Sequence, residues 1–508
     1  MNKRFVIGLD IGTTSAKAVV FDRSGHVISE HEEGYPTLHE QPSWSEQDPL
    51  SIEQAAITSI RLALQYKHIS PDEIISVGLS SAMHSLICAD EHNEPISPLI
   101  TWADRRSIKQ ADELKASPEG ENIYLKSGTP IHPMSPLIKL IWMKENQYTP
   151  YLNAAKFLSI KEFLTSRWFG IDAVDYSIAS ATGLFNIHTR SWNHEALKLA
   201  SIEESQLSKP VPASYIFNGL KPQIAEAMGL NCDTPFAAGG SDGPLANLGI
   251  GAIEPGEAAI TIGTSGAIRQ MSKAPHTDRH QETFCYAFTD DLWVLGGPTN
   301  NGGNVLKWLK DVLGHEAAAN ALQNGEDPSA LLIQSLEEIE PGAGKLLFLP
   351  YLSGERAPHW DANAKGAFVG LTVNHTHQHM VKAGLEGVLF NILTIKNSLE
   401  RLTGDTKSIY ASGGFARSKE WVQMMADIFG KEIKLPLSHQ SSSWGAAWIS
   451  LHAVGEAANL TGIKDKIPMT DAVYPDLEKH KRYQEIYPIF QNVYDALKPT
   501  FHDLSKLQ

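Results

Sequence analysis

Cysteine is scarce in this chain. Cys88, Cys232 and Cys285 stand far apart, and no C-x-x-C pair occurs. That spacing excludes a disulfide framework and supplies no zinc-ligand set, and it fits a reducing compartment, so a cytoplasmic protein is expected. Positive charge is also short. Lys and Arg total 43 against 58 Asp and Glu, a formal net charge of -15. Nucleic-acid binding needs a basic face and is not expected. Long apolar runs are missing as well. No stretch of about 18 apolar residues occurs, so no membrane association is expected. The run after Lys3 and Arg4 is cut at Asp10, too soon for a signal sequence. What remains, 42% hydrophobic and 20% charged residues in 508, is globular in composition. That length suits two domains of roughly 250 residues each.

Two similar passages stand about half a chain apart. Phe5–Leu9 reads as a buried strand, Asp10-Ile11-Gly12-Thr13-Thr14-Ser15 as a small polar turn, and Ala16–Asp22 as a returning strand. Glu257–Ile262, Gly263-Thr264-Ser265-Gly266 and Ala267–Arg269 repeat that order. Strand, turn and strand is not the strand-to-helix order of a Walker loop. The repetition points to two related domains, 1–250 and 251–508, with the boundary in the glycine-bearing stretch Gly249–Gly256. Amphipathic helices are expected at Ser51–Gln65, Met380–Leu402 and Glu420–Phe429, a short helix at Pro244–Gly251, and a helical tail after Tyr474.

Several segments carry residues suited to chemistry. Small residues let main-chain N–H groups approach phosphates, so Gly12, Thr13, Thr14 and Ser15 suit ATP, with Lys17 in reach and Asp10 placed for Mg²⁺. The same turn also reads as a plain hairpin with a polar tip. In Gly239-Gly240-Ser241-Asp242-Gly243, Asp242 can accept an alcohol proton during phosphoryl transfer or cap the helix that follows, and the two roles are compatible. Ile409–Ser418 reads as strand, double glycine (Gly413, Gly414) and helix, a frame against which a nucleobase can lie or an ordinary strand-to-helix turn. Polyol recognition needs fixed polar groups and an apolar wall. His84, Asp104, Arg105 and Arg106 offer the first and Trp102 the second, although an Asp–Arg pair is more often an ion pair. His375-Thr376-His377-Gln378-His379 lacks a nearby carboxylate or cysteine and reads as a solvated loop.

Together these segments resemble the FGGY family of carbohydrate kinases over nearly the whole chain. Met134–Asn146 is similar to the family's first signature. Gly366-Ala367-Phe368-Val369-Gly370-Leu371, with His379-Met380 and Ala383-Gly384-Leu385-Glu386, resembles the second. The resemblance implies an α/β fold of two actin-like (RNase H-like) domains with a catalytic cleft between them, and an ATP-dependent phosphotransferase with an alcohol acceptor. It implies Asp10 as the metal-associated aspartate and Thr13, Thr14 and Lys17 as the first phosphate loop. Gly263, Thr264 and Ser265 would form the second loop, with Gly303, Gly413 and Gly414 on the nucleotide side. Met83 and His84 would contact the sugar, and Asp242 would be the catalytic base. Ser81–Ser85, Ile100–Ser107, Gly128–Met134 and Tyr351–Pro358 resemble members that phosphorylate gluconate. The expected partners are therefore a small sugar acid and ATP with Mg²⁺, and a homodimer is left open. The acid's carboxylate needs a cation, for which His84, Arg105, Arg106 and His132 are candidates. A ketopentose kinase, for xylulose for example, is the alternative within the class. An actin-like ATPase with a chaperone or regulatory role is the alternative outside it. A chaperone would add a peptide-binding domain, and a sugar sensor is expected to lose Asp10 or Asp242.

Overall fold

The first apolar runs pair with each other. β1 (Phe5–Ile11) turns at Gly12–Thr14 and returns antiparallel as β2 (Ser15–Asp22), with Asp10 opposite Lys17. In this computed structural model residues 3–313, 332–333, 336, 338–437 and 440–507 are described. The chain divides into two compact units. The first comprises Met1–Pro255, Met271–Leu295 and Gln440–Ile467, and the second Gly256–Gln270, Gly296–His439 and Pro468–Gln508. Two segments that follow residue 250 in sequence thus belong to the first unit.

In the first unit β3 (Val27–Gly34), β4 (Ile74–Ser81), β5 (Ile216–Phe217) and β6 (Phe236–Ser241) complete a six-stranded sheet, order β5-β6-β4-β1-β2-β3. β4 runs parallel to β1, and β6 parallel to β4. A strand covered on both faces reads as a continuous apolar or small run, and every residue of β4 and β6 is buried. Alternation along β1 divides the core: Ile7 and Leu9 join the cluster of helix Pro49–Tyr66, while Val6 joins Trp444 and Ile449 of helix Ser441–Ala453. That second helix lies so close that a Cβ on Gly8 would sit 1.9 Å from the Ser443 carbonyl oxygen, and one on Gly78 1.8 Å from that of Ala446. The parallel strands end in step. Asp10 pairs with Ser80, Ile11 and Ser241 both pair with Ser81, and Gly240 pairs with Ser80. Asp242 follows at once, as the first residue of helix Asp242–Gly249.

The second unit repeats the hairpin. β7 (Glu257–Ile262) pairs antiparallel with β8 (Gly266–Ser272) and parallel with β10 (Ser408–Ser412), once β9 (Trp293–Thr299) has been counted, and β11 (Ile433–Lys434) follows β10. β9, β8, β7, β10 and β11 are neighbours in that order in a sheet of six strands, and β8 and β9 continue into the 271–295 segment. Long helices His377–Thr403 and Leu477–Ser505 and the shorter Lys419–Phe429 belong to this unit.

The expected helices appear with small shifts at their ends. Asp48 caps the first by accepting from Leu50 N and Ser51 N, so it starts at Pro49. The short helix runs Asp242–Gly249, and the tail is helical over Leu477–Ser505. The histidine-rich segment needs a correction, since only His375 and Thr376 precede the helix. His379 Nδ1 accepts from Thr376 N at 3.2 Å, a reciprocal cap that pulls His377 and His379 into the first turn. Among the described residues no group of His, Cys, Asp and Glu could hold a metal ion alone, and no helix is long and apolar enough to cross a membrane.

Candidate active site

In the first unit the Gly12–Ser15 turn is held from three directions. Gly12 N donates to the Ser15 carbonyl (2.9 Å), and Tyr35 Oη donates to the Gly12 carbonyl (2.6 Å). Gln47 Nε2 donates to the Thr13 carbonyl (2.6 Å), and Trp102 Nε1 to the Thr13 hydroxyl (3.0 Å). Thr14 stays exposed at the tip. Gly12, Thr13, Met83, Ser85, Trp102 and Ile160 line part of one small pocket. The proposed phosphate loop and part of the proposed sugar wall are therefore neighbours. Lys17 on β2 lies 3.4 Å from Glu30 Oε2 on β3.

Asp10 ends β1 with its Oδ1 accepting from the Ser80 hydroxyl at 2.7 Å. It keeps some accessible surface, yet protein crowds it on most sides. That desolvation pushes its carboxyl up to about 6; Asp242 and Glu32 push the same way, against Ser80 and Lys17. Asp10 and Asp242 are thus close enough to repel each other. Asp242 itself is half-buried, and its Oδ1 accepts from Gly243 N at 2.7 Å.

Around the proposed sugar frame the structure separates residues that the sequence grouped. His84 is buried in the left-handed conformation (φ 67°), and its Nδ1 donates to the Ala181 carbonyl at 2.7 Å. Asp104 is a correction. Its residue is 1% exposed, and its carboxylate accepts from Ser45 N (2.7 Å) and from Arg106 Nε (2.9 Å) and Nη2 (2.8 Å). Arg106 also donates to Glu46 (2.6 Å) and stacks 3.6 Å from the Trp44 ring centre. The pair is a buried ion pair, so Asp104 is turned inward and offers nothing to a ligand. Arg105 beside it is exposed, and His132 Nδ1 accepts from Met134 N at 3.2 Å.

In the second unit the equivalent turn is braced by glycines. Gly263 N donates to the Ser265 carbonyl (2.9 Å), Gly303 N to that of Gly263 (2.7 Å), and Asn304 N to that of Thr264 (3.1 Å). A Cβ on Gly303 would lie 2.7 Å from the Gly263 carbonyl oxygen, and one on Gly413 2.4 Å from that of Ile262. Gly413 also has φ 97°, a conformation that L side chains avoid. Gly263, Thr264, Ser265, Gly413 and Gly414 are all exposed. The structure therefore gathers Gly263–Ser265 with Gly303, and the Gly413 turn with the end of β7. Beneath them Glu355 accepts from the Thr299 hydroxyl (2.6 Å), Asn300 N (2.8 Å) and the amides of Asn301 and Asn391 (3.1 Å each).

Sequence reasoning did not single out Tyr35, Gln47, Lys139, Lys161 or Glu355. Two of them had a signal: Lys139 lies inside the Met134–Asn146 signature and Glu355 inside Tyr351–Pro358. Lys139 was the clearer. It is fully buried, and its ammonium donates to the His84 and Ile100 carbonyls. All of them act on groups far away in sequence, which no local pattern reveals.

A hairpin offering small-residue N–H groups, repeated in a second unit and accompanied by a carboxylate at a strand end, suits phosphoryl transfer. Residues 5–249 match the N-terminal domain of the FGGY family of carbohydrate kinases, and residues 258–454 match its C-terminal domain. The chain belongs to that family; it has the two-domain actin-like α/β fold, is a carbohydrate kinase, and uses ATP. It is 43% identical to the gluconokinase of Bacillus subtilis over 99% of this chain and 98% of that one, and 26% identical to the xylulose kinase of Staphylococcus xylosus over 97% and 100%. Among solved structures it resembles the gluconate kinase of Lactobacillus acidophilus and a ligand-bound xylulose kinase of the same organism. Each has a TM-score of 0.93 and 33% identity, over 98% of this chain and 99% of the other.

Proposed function

We propose that the protein transfers the γ-phosphoryl group of ATP to the terminal hydroxyl of gluconate, giving 6-phosphogluconate, with Asp242 as general base. The observation that carries this reading is the juxtaposition of Asp242 with Asp10 at the ends of β6 and β1, the two parallel strands that flank β4, with the Thr13–Trp102 pocket lined by the residues that follow Asp10. Asp242 accepts the hydroxyl proton as that oxygen attacks phosphorus, so only modest basicity is needed. Thr13, Thr14 and Lys17 in the first unit and Gly263, Thr264, Ser265, Gly303, Gly413 and Gly414 in the second serve the nucleotide. Met83, His84, Trp102 and Arg105 serve the sugar acid. Arg106 is excluded as the carboxylate's cation by its engagement with Asp104 and Glu46, which leaves Arg105, His84 and His132.

Mg²⁺ fits the residues present. Asp10 is a crowded carboxylate whose charge is disfavoured without a cation, and Mg²⁺ takes one or two carboxylates with water and phosphate oxygens rather than an all-protein cage. Asp10 would hold the ion, which when bound offsets phosphate charge. The gap between 43% identity to a gluconokinase and 26% to a xylulose kinase supports the sugar acid. The equal likeness to two solved structures with different named sugars keeps the ketopentose as a second reading.

The test is an acceptor panel of gluconate, xylulose, ribulose and glycerol with ATP. Gluconate is expected to give the highest kcat/KM. Preference for xylulose would replace the sugar-acid claim and leave the kinase intact. In Asp242→Asn, turnover should fall by about 10²-fold or more with substrate binding kept; near-normal turnover would reject the base assignment.

A further inference from the structure

The turn that carries Asp242 cannot be held by ordinary sheet pairing. β6 loses register with β4 between Ala237 and Gly240. Gly239 sits at φ 60°, where an added Cβ would lie 1.8 Å from the Leu79 carbonyl oxygen. Carbonyls in such an irregular stretch turn inward and need donors. Lys161, on helix Ile160–Phe169, supplies them. Its side chain is 5% exposed, and its Nζ lies 2.9 Å from the Ala238 carbonyl, 2.9 Å from the Gly240 carbonyl and 2.6 Å from Asp175 Oδ2. Two of the ammonium's three protons go to the carbonyls, and the Asp175 carboxylate pairs with its charge. Asp175 continues the chain of contacts: its Oδ1 accepts from the Ser177 hydroxyl at 2.6 Å, and that hydroxyl accepts from Ser241 N at 2.8 Å. Asp175 Oδ1 also accepts from Ser177 N and Ile178 N, anchoring the start of helix Tyr176–Ala181.

We infer that Lys161 is a positioning residue for Asp242, acting with Asp175 and Ser177 to clamp the 238–241 main chain from both sides. The inference rests on the reading of Asp242 as general base. Burying a lysine–aspartate pair costs desolvation that an apolar pair of similar size would avoid, so stability alone is a weak reason for one here. Geometry is a better reason. The clamp grips the two carbonyls and the one N–H immediately before Asp242, and a misplacement of about 1 Å can cost about 10²-fold in rate. Charge acts in the same sense: Asp242, Asp175 and Glu162 all favour the protonated form of Lys161 against its burial, so the ammonium and the Asp242 carboxylate attract. Asp10, by contrast, repels Asp242.

The experiment measures kcat and KM for gluconate and ATP in Lys161→Met and Ser177→Ala, each alone and combined with Asp242→Asn. Lys161→Met should lower kcat by about 10- to 100-fold with both KM values within about twofold. In the Asp242→Asn background the same change should remove almost nothing further, because residues acting through one group are not additive. An equal fold-loss in both backgrounds would overturn the proposal, as would unchanged kcat in folded Lys161→Met. If Lys161→Met does not fold, Ser177→Ala decides: it removes one hydroxyl and should lower kcat several-fold, again only when Asp242 is present. Amide hydrogen exchange separates this inference from the substrate reading. Faster exchange at Ser241–Gly243 in Lys161→Met than in the unaltered protein is expected whichever sugar is the acceptor; unchanged exchange there sinks the clamp even if gluconate is phosphorylated.

Discussion

In the first unit two buried ammonium groups hold main-chain carbonyls near the functional turns; in the second two buried carboxylates receive main-chain N–H groups. Lys161 holds the Ala238 and Gly240 carbonyls, and Lys139 holds those of His84 and Ile100. In the second unit Glu355 receives Asn300 N and three side chains, and Glu386 receives Gly342 N (3.0 Å) and the Tyr483 hydroxyl (2.9 Å). The difference follows from which main-chain atoms face inward. Where carbonyls turn in, a cation satisfies them; where N–H groups turn in, an anion does. It also suits what each turn carries. The first unit's turns bear carboxylates, and a cation below them relieves their repulsion. The second unit's turns are assigned to phosphates, so an anion below is tolerable only if saturated with donors. Glu355 meets that condition, and its burial pushes its carboxyl up, towards the uncharged form.

The largest expected consequence is opposite pH dependence. Burial pushes the Lys139 ammonium down to about 7 from 10.5, so between these values the unfolded chain holds more protons and stability rises with pH. Burial pushes the Glu386 carboxyl up to about 7 from 4.5, so between those values the folded chain holds more protons and stability falls as pH rises. The spans correspond to about 5 and about 3 kcal/mol. Thermal unfolding should show Lys139→Met flattening the curve of Tm against pH above 7, and Glu386→Gln flattening it below 7. Curves parallel to that of the unaltered protein would break the contrast.

Next in size is the loss of Glu355. Glu355→Ala strands Thr299, Asn300 N, Asn301 and Asn391, and should cost about 2–3 kcal/mol. It loosens the stretch leading to Gly303, so under the proposed assignment KM for ATP should rise more than kcat falls. That is the reverse of the pattern expected for Lys161→Met. A pure kcat effect would show that the two buried ions do the same job.

Much of this was readable in advance, for local reasons. Both hairpins, the three long helices and the short helix at Asp242 follow from apolar period, small polar turns and caps, all visible within about ten residues. The turns at Gly12–Thr14 and Gly263–Ser265, and Asp10 near the end of the strand before the first, were legible for the same reason. What stayed hidden depends on distant pairing. Asp104 looked like a sugar contact because Ser45, whose N–H it accepts, and Glu46, which shares Arg106 with it, lie nearly 60 residues earlier. Lys161 went unnoticed because the two carbonyls it holds come almost 80 residues later. The return of Gln440–Ile467 to the first unit is likewise set by close packing of Gly8 and Gly78 against one helix, which no window around either glycine contains.

The smallest effect sharpens the comparison by being the same in both units. Asp48 accepts from Leu50 N (3.2 Å) and Ser51 N (3.1 Å) at the start of Pro49–Tyr66, and Asp476 from Glu478 N (3.0 Å) and Lys479 N (3.2 Å) at the start of Leu477–Ser505. Each satisfies two of the N–H groups a helix leaves unpaired, and each carboxylate opposes the positive end of the helix dipole. Neither touches a turn assigned to substrate. Asp48→Ala and Asp476→Ala should therefore each cost about 1 kcal/mol, read by denaturant unfolding, with kcat and KM unchanged. A cap works on its own first turn and is indifferent to the sign of the ions buried deeper. If one of these losses greatly exceeded the other, the units would differ in general tolerance to damage, and the contrast between buried lysines and buried glutamates would lose its force.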